Sequence, residues 1–254
     1  MIRVVPGAAP FMEISMAEYD NRAMMRGAAT ADAGIDQGLR SYMLGVYNLM
    51  VLGLAITGFA AFGLSRSPEL FYQIFSNPIL PWIVMLSPFA MVLVLSFGIN
   101  RLSAGAARVI FLVYSLLMGI SLSTIFFVYA EGDITRVFFI TAASFGALSL
   151  WGYTTKRDLT GWGSFLIMGL FGIIIAMIVN LFMGWETLNF VISVAGVGIF
   201  AGLTAYDTQK IKEMYYAGDD GEMAGKKSVM GALALYLDFI NLFIMLLRLL
   251  GNRE

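Results

Sequence analysis

Two carboxylates, Asp207 and Asp238, are the residues whose type and setting point to chemistry. Asp238 lies in the middle of the apolar segment Met230–Phe243, between Leu237 and Phe239, and Asp207 lies at the edge of the preceding apolar segment. A carboxylate in hydrocarbon is costly unless it is paired, protonated or facing water, so an acid inside such a segment is a functional candidate by default. Two acids held side by side cannot both ionise cheaply; they share a proton and titrate as a pair. Such a pair can serve as a proton-dependent latch. Protonated, it ties two helices by a hydrogen bond, and doubly ionised it repels itself or attracts a cation.

The surrounding composition says what must position the pair. Of 254 residues, 59% are hydrophobic and 13% charged, with a mean hydropathy of +0.80, whereas a soluble domain carries roughly 25% charged residues. Runs long enough to cross about 30 Å of hydrocarbon occupy 42–64, 79–99, 109–130, 137–155, 162–185, 187–206 and 229–247, the last with Asp238 as its one charge. The expectation is an all-α polytopic membrane protein whose seven-helix transmembrane domain spans 41–254. Residues 1–40, with five acids and no apolar run, read as a flexible cytoplasmic N-terminal tail rather than a cleaved signal or an acid-poor transit peptide. The chain has no cysteine and no histidine. Disulfides, thiolate catalysis and imidazole chemistry are excluded, and carboxylates are left as the groups able to titrate near neutral pH. The net charge of -1 says nothing about partners.

Twelve basic residues fall in the tail and alternate loops: Arg3, Arg22, Arg26, Arg40, Arg101, Arg108, Lys156, Arg157, Lys210, Lys212, Lys226 and Lys227. The opposite loops hold Arg66 and Arg136, so the positive-inside rule places the N-terminus in the cytoplasm. Seven full spans would then carry Arg248 and Arg253 outside, mildly against the rule, and a final segment that enters and returns would avoid this. Trp82, Trp151, Trp162 and Trp185 near segment ends read as interfacial anchors.

The sixth helix is expected to run on to Tyr216 before the turn Gly218-Asp219-Asp220-Gly221, and the seventh to start near Ser228 as N-cap. At about 1.5 Å per residue both acids then lie about 14–15 Å from the connector, at one depth. Gly231, Ala234, Asp238 and Asn241 share one side of the seventh helix, and Ser193, Gly196, Phe200, Thr204 and Asp207 one side of the sixth. Gly198 and Gly202 add a GxxxG spacing that permits close helix approach. Plainer roles compete: Asp207 as an interfacial residue among lysines, and Asp238 as a hydrogen-bond anchor with Asn241 or Tyr236.

Several functions can use such a pair. One is an ion pathway gated by pH. A second is intramembrane aspartyl proteolysis of the presenilin kind, but those enzymes carry Gly-x-Gly-Asp and Pro-Ala-Leu motifs; here the residues are Leu235-Tyr236-Leu237-Asp238, and Pro-Ala-Leu is absent. A proton-coupled carrier would often show inverted repeats, and none is evident. A further alternative, of another class, is a non-conducting regulatory partner of a membrane protease or translocation complex.

At Ala205-Tyr206-Asp207-Thr208-Gln209-Lys210-Ile211-Lys212 and Ala234-Leu235-Tyr236-Leu237-Asp238-Phe239-Ile240-Asn241-Leu242-Phe243 the chain resembles the Bax inhibitor-1 (transmembrane Bax inhibitor motif) family. The likeness extends over Arg40–Thr57, with Val46-Tyr47 and Gly53-Leu54, and over Gly119–Phe126, and is most like the bacterial branch. The resemblance implies seven helices with the last at the centre of the other six, a cell inner membrane location, and no enzymatic activity. It also implies a pH-sensitive calcium leak in which Asp207 and Asp238 are sensor and gate. Some relatives bear an acid in the second helix, absent from Met85-Leu86-Ser87-Pro88-Phe89-Ala90 here, and relatives use an arginine at the cytoplasmic end of that helix that can latch the sixth-helix aspartate. Arg101 is the candidate for that latch, with an ordinary cytoplasmic anchor as its other reading. Calcium takes six to eight oxygens, more than Asp207, Asp238 and Asn241 supply, so any calcium is hydrated, weakly held and permeant rather than a cofactor. The expected partners are calcium ions, protons and the lipid bilayer, with no nucleic acid.

Overall fold

The structure, a computed structural model, describes the backbone of residues 11–252 and the side chains of residues 37–252. The tail expected over 1–40 thus lies outside the described residues, apart from its helical backbone from Phe11 and the side chains from residue 37. Two compact units divide the chain, residues 1–41 and 42–254, and the second holds the bundle.

Hydrocarbon offers backbone amides no partners, so spanning segments must satisfy them internally as helices, and among the described residues every regular element is helical. The elements are α1 (Phe11–Ser65), α2 (Pro68–Phe75), α3 (Leu80–Gly98), α4 (Ala104–Leu122) with a 3-10 extension over Ser123–Phe127, α5 (Glu131–Thr154), α6 (Thr160–Met183), α7 (Glu186–Glu213) and α8 (Gly221–Leu250). Seven of them are long and apolar enough to span: α1 from Gln37, α3, α4 with its extension, α5, α6, α7 and α8. The short α2 between the first two spans has no counterpart in the sequence reading; Pro68 at its first position presets the helical φ.

Helix α8 is the axis. Its apolar window is 67% buried, against 11–39% for the other spans. Helices α4, α5 and α7 pack directly on it. The α1 residues Thr57 and Val46 also reach it, through the Tyr236 hydroxyl and the open face of Gly231. Further out, α3 lies on α4 and α6 on α7.

Small residues set these approaches. A Cβ at Gly119 would lie 2.5 Å from the Thr57 carbonyl oxygen, and one at Gly152 would collide with the Ala205 carbonyl, so α1–α4 and α5–α7 contacts are backbone to backbone. The GxxxG pair faces elsewhere than toward α8: Gly202 accepts the Leu166 side chain of α6, and Gly198 meets nothing. A two-residue turn joins α6 to α7, with Gly184 at φ 67° closing α6 in the left-handed conformation that favours glycine. Trp82, Trp151, Trp162 and Trp185 are exposed at helix ends, two at each end of the bundle.

Both helix boundaries around the connector differ from expectation. Helix α7 ends at Glu213 rather than Tyr216. Helix α8 starts at Gly221 rather than near Ser228, with the Asp220 side chain accepting from the Met223 amide at 2.6 Å as N-cap. The additional seven residues, about 10 Å of helix, are held from outside: Glu222 Oε1 accepts from the Ala104 amide at 2.7 Å, and Lys227 Nζ donates to Asp219 at 2.5 Å. A returning final segment is also ruled out. Helix α8 is unbroken, and Arg136 of α5 donates to the Leu250 carbonyl at 2.8 Å while Asp133 accepts from the Asn252 amide at 2.8 Å. The end of α8 therefore lies beside the start of α5, opposite the α7–α8 connector.

The α5–α7 contact gives a test. Gly152→Val is expected to destabilise the protein by about 1–3 kcal/mol through overpacking, lowering Tm in detergent. Gly146→Ala, where a Cβ meets nothing, should leave Tm unchanged or raised. Equal Tm values for Gly152→Val and wild type would contradict the backbone contact.

Candidate functional site: a carboxylate pair beside the central helix

Asp207 and Asp238 come together. Asp238 is 4% exposed on α8, Asp207 is half-buried on α7, and their carboxyl groups are within hydrogen-bonding reach of each other. Asp238 Oδ2 is buried with no partner among the described groups that are hydrogen-bond donors. A lone acceptor at such depth costs more than a made hydrogen bond returns, unless a proton or cation occupies the gap between the carboxylates.

Register explains the meeting. Gly231 faces Ile211, and Gly196 faces Met245, so descending α7 matches ascending α8 and the two acids fall about one turn apart in height. The expected inward stripe of α7 is buried at Ser193, Gly196, Phe200 and Thr204. On α8 burial runs almost all round the helix.

The other anticipated residues lie apart from the pair. Asn241 donates Nδ2 to the Leu237 carbonyl at 2.8 Å, one turn back on its own helix. Arg101 is exposed in the α3–α4 turn and forms no ion pair with either aspartate among the described residues. The cation that bears on Asp207 is Lys210, one turn along α7, whose ammonium also lies 5.8 Å from the Tyr206 ring. Among the described residues no cluster of three or more acidic side chains could hold a metal ion.

The segment Tyr206–Lys212 has a structural task at almost every position. Tyr206 fills the space left by Gly163 of α6. Thr208 meets Ser149 of α5 at 2.9 Å, and Ser149 meets the Tyr47 hydroxyl of α1 at 2.5 Å, a hydroxyl chain across three helices. Gln209 accepts from the Leu159 amide and donates to the Arg157 carbonyl, both at 2.8 Å, pinning the α5–α6 loop. Lys212 donates to the Tyr153 carbonyl at 2.9 Å, satisfying the end of α5. In the same loop the exposed Asp158 carboxyl is held below the usual carboxylate range by the Thr160 hydroxyl and, at 2.8 Å, by the Thr160 amide. Sequence reasoning used Arg157 and Lys212 only for orientation and gave none of these polar ties; the i, i+4 spacing of Thr204 and Thr208 beside Asp207 was the one local signal.

A second polar layer lies nearer the bundle centre. Thr57 Oγ1 donates to the Ser115 carbonyl at 2.8 Å and meets the Tyr236 hydroxyl at 2.6 Å, so the α8 residue two before Asp238 is tied to α1 and α4. The Tyr114 and Tyr236 rings stack edge-on, centroids 5.3 Å apart.

The family described as "Inhibitor of apoptosis-promoting Bax1" matches residues 39–254, the whole bundle with both aspartates. The chain belongs to the Bax inhibitor-1 family. It is 48% identical over 219 residues to an uncharacterized protein, RP147, of Rickettsia prowazekii, covering 86% of this chain and 92% of that one. It is 46% identical over 219 residues to the inner membrane protein YbhL of Escherichia coli K12, covering 85% and 94%. An uncharacterized protein of Deinococcus radiodurans is 40% identical over 233 residues, covering 92% and 99%. The chain is thus a Bax inhibitor-1 family membrane protein of seven apolar helices with α8 at its axis.

The Gln209 clamp predicts a local effect. In Gln209→Ala the Leu159 amide loses its buried acceptor, worth about 1 kcal/mol, and amide hydrogen exchange at Leu159 should accelerate roughly five-fold with the fold retained. Unchanged exchange there would show that the clamp does not hold the loop.

Proposed function

We propose that this protein is a pH-sensitive, calcium-permeable leak channel of the bacterial inner membrane, gated by Asp207 and Asp238. The observation that carries the reading is the buried Asp238 carboxyl, one oxygen of which has no donor, beside the Asp207 carboxyl across the α7–α8 seam. YbhL, an inner membrane protein, supports the location. The reading is of a passive pathway rather than an enzyme.

With one proton shared, the two carboxyls bridge α7 and α8 and the seam stays shut. Losing that proton puts two negative charges face to face in a poorly solvated site, which drives the helices apart and offers a divalent cation two ligands. Raising the pH therefore opens the path and lowering it closes the path. Two carboxylates leave most of a calcium shell to water, so the ion is held weakly enough to pass on. Lys210, one turn from Asp207, competes with calcium for that carboxylate.

Liposomes loaded with a calcium dye test this. Leak should rise with pH in the wild-type protein, and Asp238→Asn and Asp207→Asn, which remove the charge while keeping hydrogen-bonding ability, should flatten that dependence. Calcium leak indifferent to pH and to both substitutions would sink the mechanism. Absence of any leak from the purified protein, with a stably co-purifying membrane protease or translocation component, would instead favour a non-conducting regulatory role.

A further inference from the structure

The α7–α8 seam does not end at the aspartate pair. Toward the α6–α7 turn it is closed by Leu166, Phe200, Leu203, Leu242 and Met245, a buried cluster without a polar side chain. Beyond that cluster lies a cavity of about 250 Å³ lined by Glu186, Asn189, Phe190, Ser193 and Arg248. Ser193 is 2% exposed at its floor, Arg248 is half-buried, and Glu186 is exposed. Helical rise puts the floor about 21 Å from Asp207 along α7 and Arg248 about 15 Å from Asp238 along α8. The same helix face thus carries an acidic pair, an apolar constriction, and a polar cavity with a cation at its wall.

We propose that this cavity is the second mouth of the permeation path and that Arg248 is its charge barrier, limiting cation entry from that side. The inference rests on the leak reading above. A hydrocarbon-lined constriction gates by excluding water, and an arginine at a narrow mouth repels cations. Glu186, nearer solvent, draws cations toward the mouth, whereas Arg248 meets them next. A basic residue in the last turn of a helix is ordinarily placed to complement the helix dipole, but Arg248 is turned into the seam. It also makes no ion pair with Glu186 or any other described residue, although Glu186 lines the same cavity.

Calcium leak from dye-loaded liposomes carrying the full chain distinguishes the two roles. A unit charge about 8 Å from a divalent ion in water-like surroundings alters local ion occupancy roughly five-fold. Arg248→Gln should therefore raise leak on the order of five-fold, Arg248→Glu further, and Arg248→Lys hardly at all. Because the chain has no cysteine, Arg248→Cys offers a reversible control if a charge-reversed variant folds poorly. A cationic methanethiosulfonate should lower its leak, an anionic one should raise it, and reduction should restore the starting rate. Leak unchanged across the Gln and Glu variants and both labels, while Asp238→Asn still alters pH dependence, overturns the barrier and leaves the gate standing. No leak from wild-type protein at any pH overturns both.

Discussion

A helix bearing a carboxylate near its midpoint cannot be left against lipid, and the bundle is organised around that prohibition. Helix α8 is wrapped by α1, α4, α5 and α7, while helices without an internal charge, α3 and α6, take the periphery where lipid is the solvent. Close wrapping demands small residues at the contacts. Gly119, Gly152 and Gly231 supply them, and at the first two the neighbouring backbone occupies the place of a side chain. The glycines are thus a consequence of the buried acid: without them the shell could not close over it.

Polar groups then accumulate at the connector end of the seam and apolar groups beyond it. Around Asp207 and Asp238 stand the Tyr47–Ser149–Thr208 hydroxyl chain, the Gln209 clamp and the lysines of α7, whereas the next turns contain Phe200, Leu203, Leu242 and Met245. Membrane interiors penalise unsatisfied polar atoms, so this zoning confines hydration to the end where the acids reside. It also explains why Tyr206–Lys212 is dense with functional side chains. That stretch is where α5, α6 and the α5–α6 loop must all be fastened to α7 without apolar contact alone.

The seven spans, the inward faces of α7 and α8 and the proximity of the acids were legible in the sequence, because hydropathy and three-to-four-residue spacing report directly on what a helix buries. Helix ends were not. Asp220 and Ser228 are both competent caps, and the choice between them is made by Glu222 reaching an amide 118 residues away at Ala104. The depth estimate was off by about one turn, because both helix ends and hence the register differ from those assumed, yet the two carboxyls still come within reach of each other. Gln209 looked like an ordinary polar residue because its partners, Arg157 and Leu159, belong to a loop some fifty residues earlier. The spacing of Gly198 and Gly202 announced a close contact but could not say with which neighbour, and α6 rather than α8 takes it.

Helix α8 is fastened at both extremities, to the α4 amide at one end through Glu222 and to α5 at the other through Arg136 and Asp133. A rod held so cannot slide along its axis without breaking an anchor. Helix α7 has a two-residue turn at one end and a seven-residue connector, 214–220, at the other. Around Asp207 it is fastened to α5 and the α5–α6 loop through Thr208, Gln209 and Lys212, so α7 cannot shift there without carrying those elements with it. The central helix is a fixed post, and any shift between α7 and α8 is a shift of the wall around it.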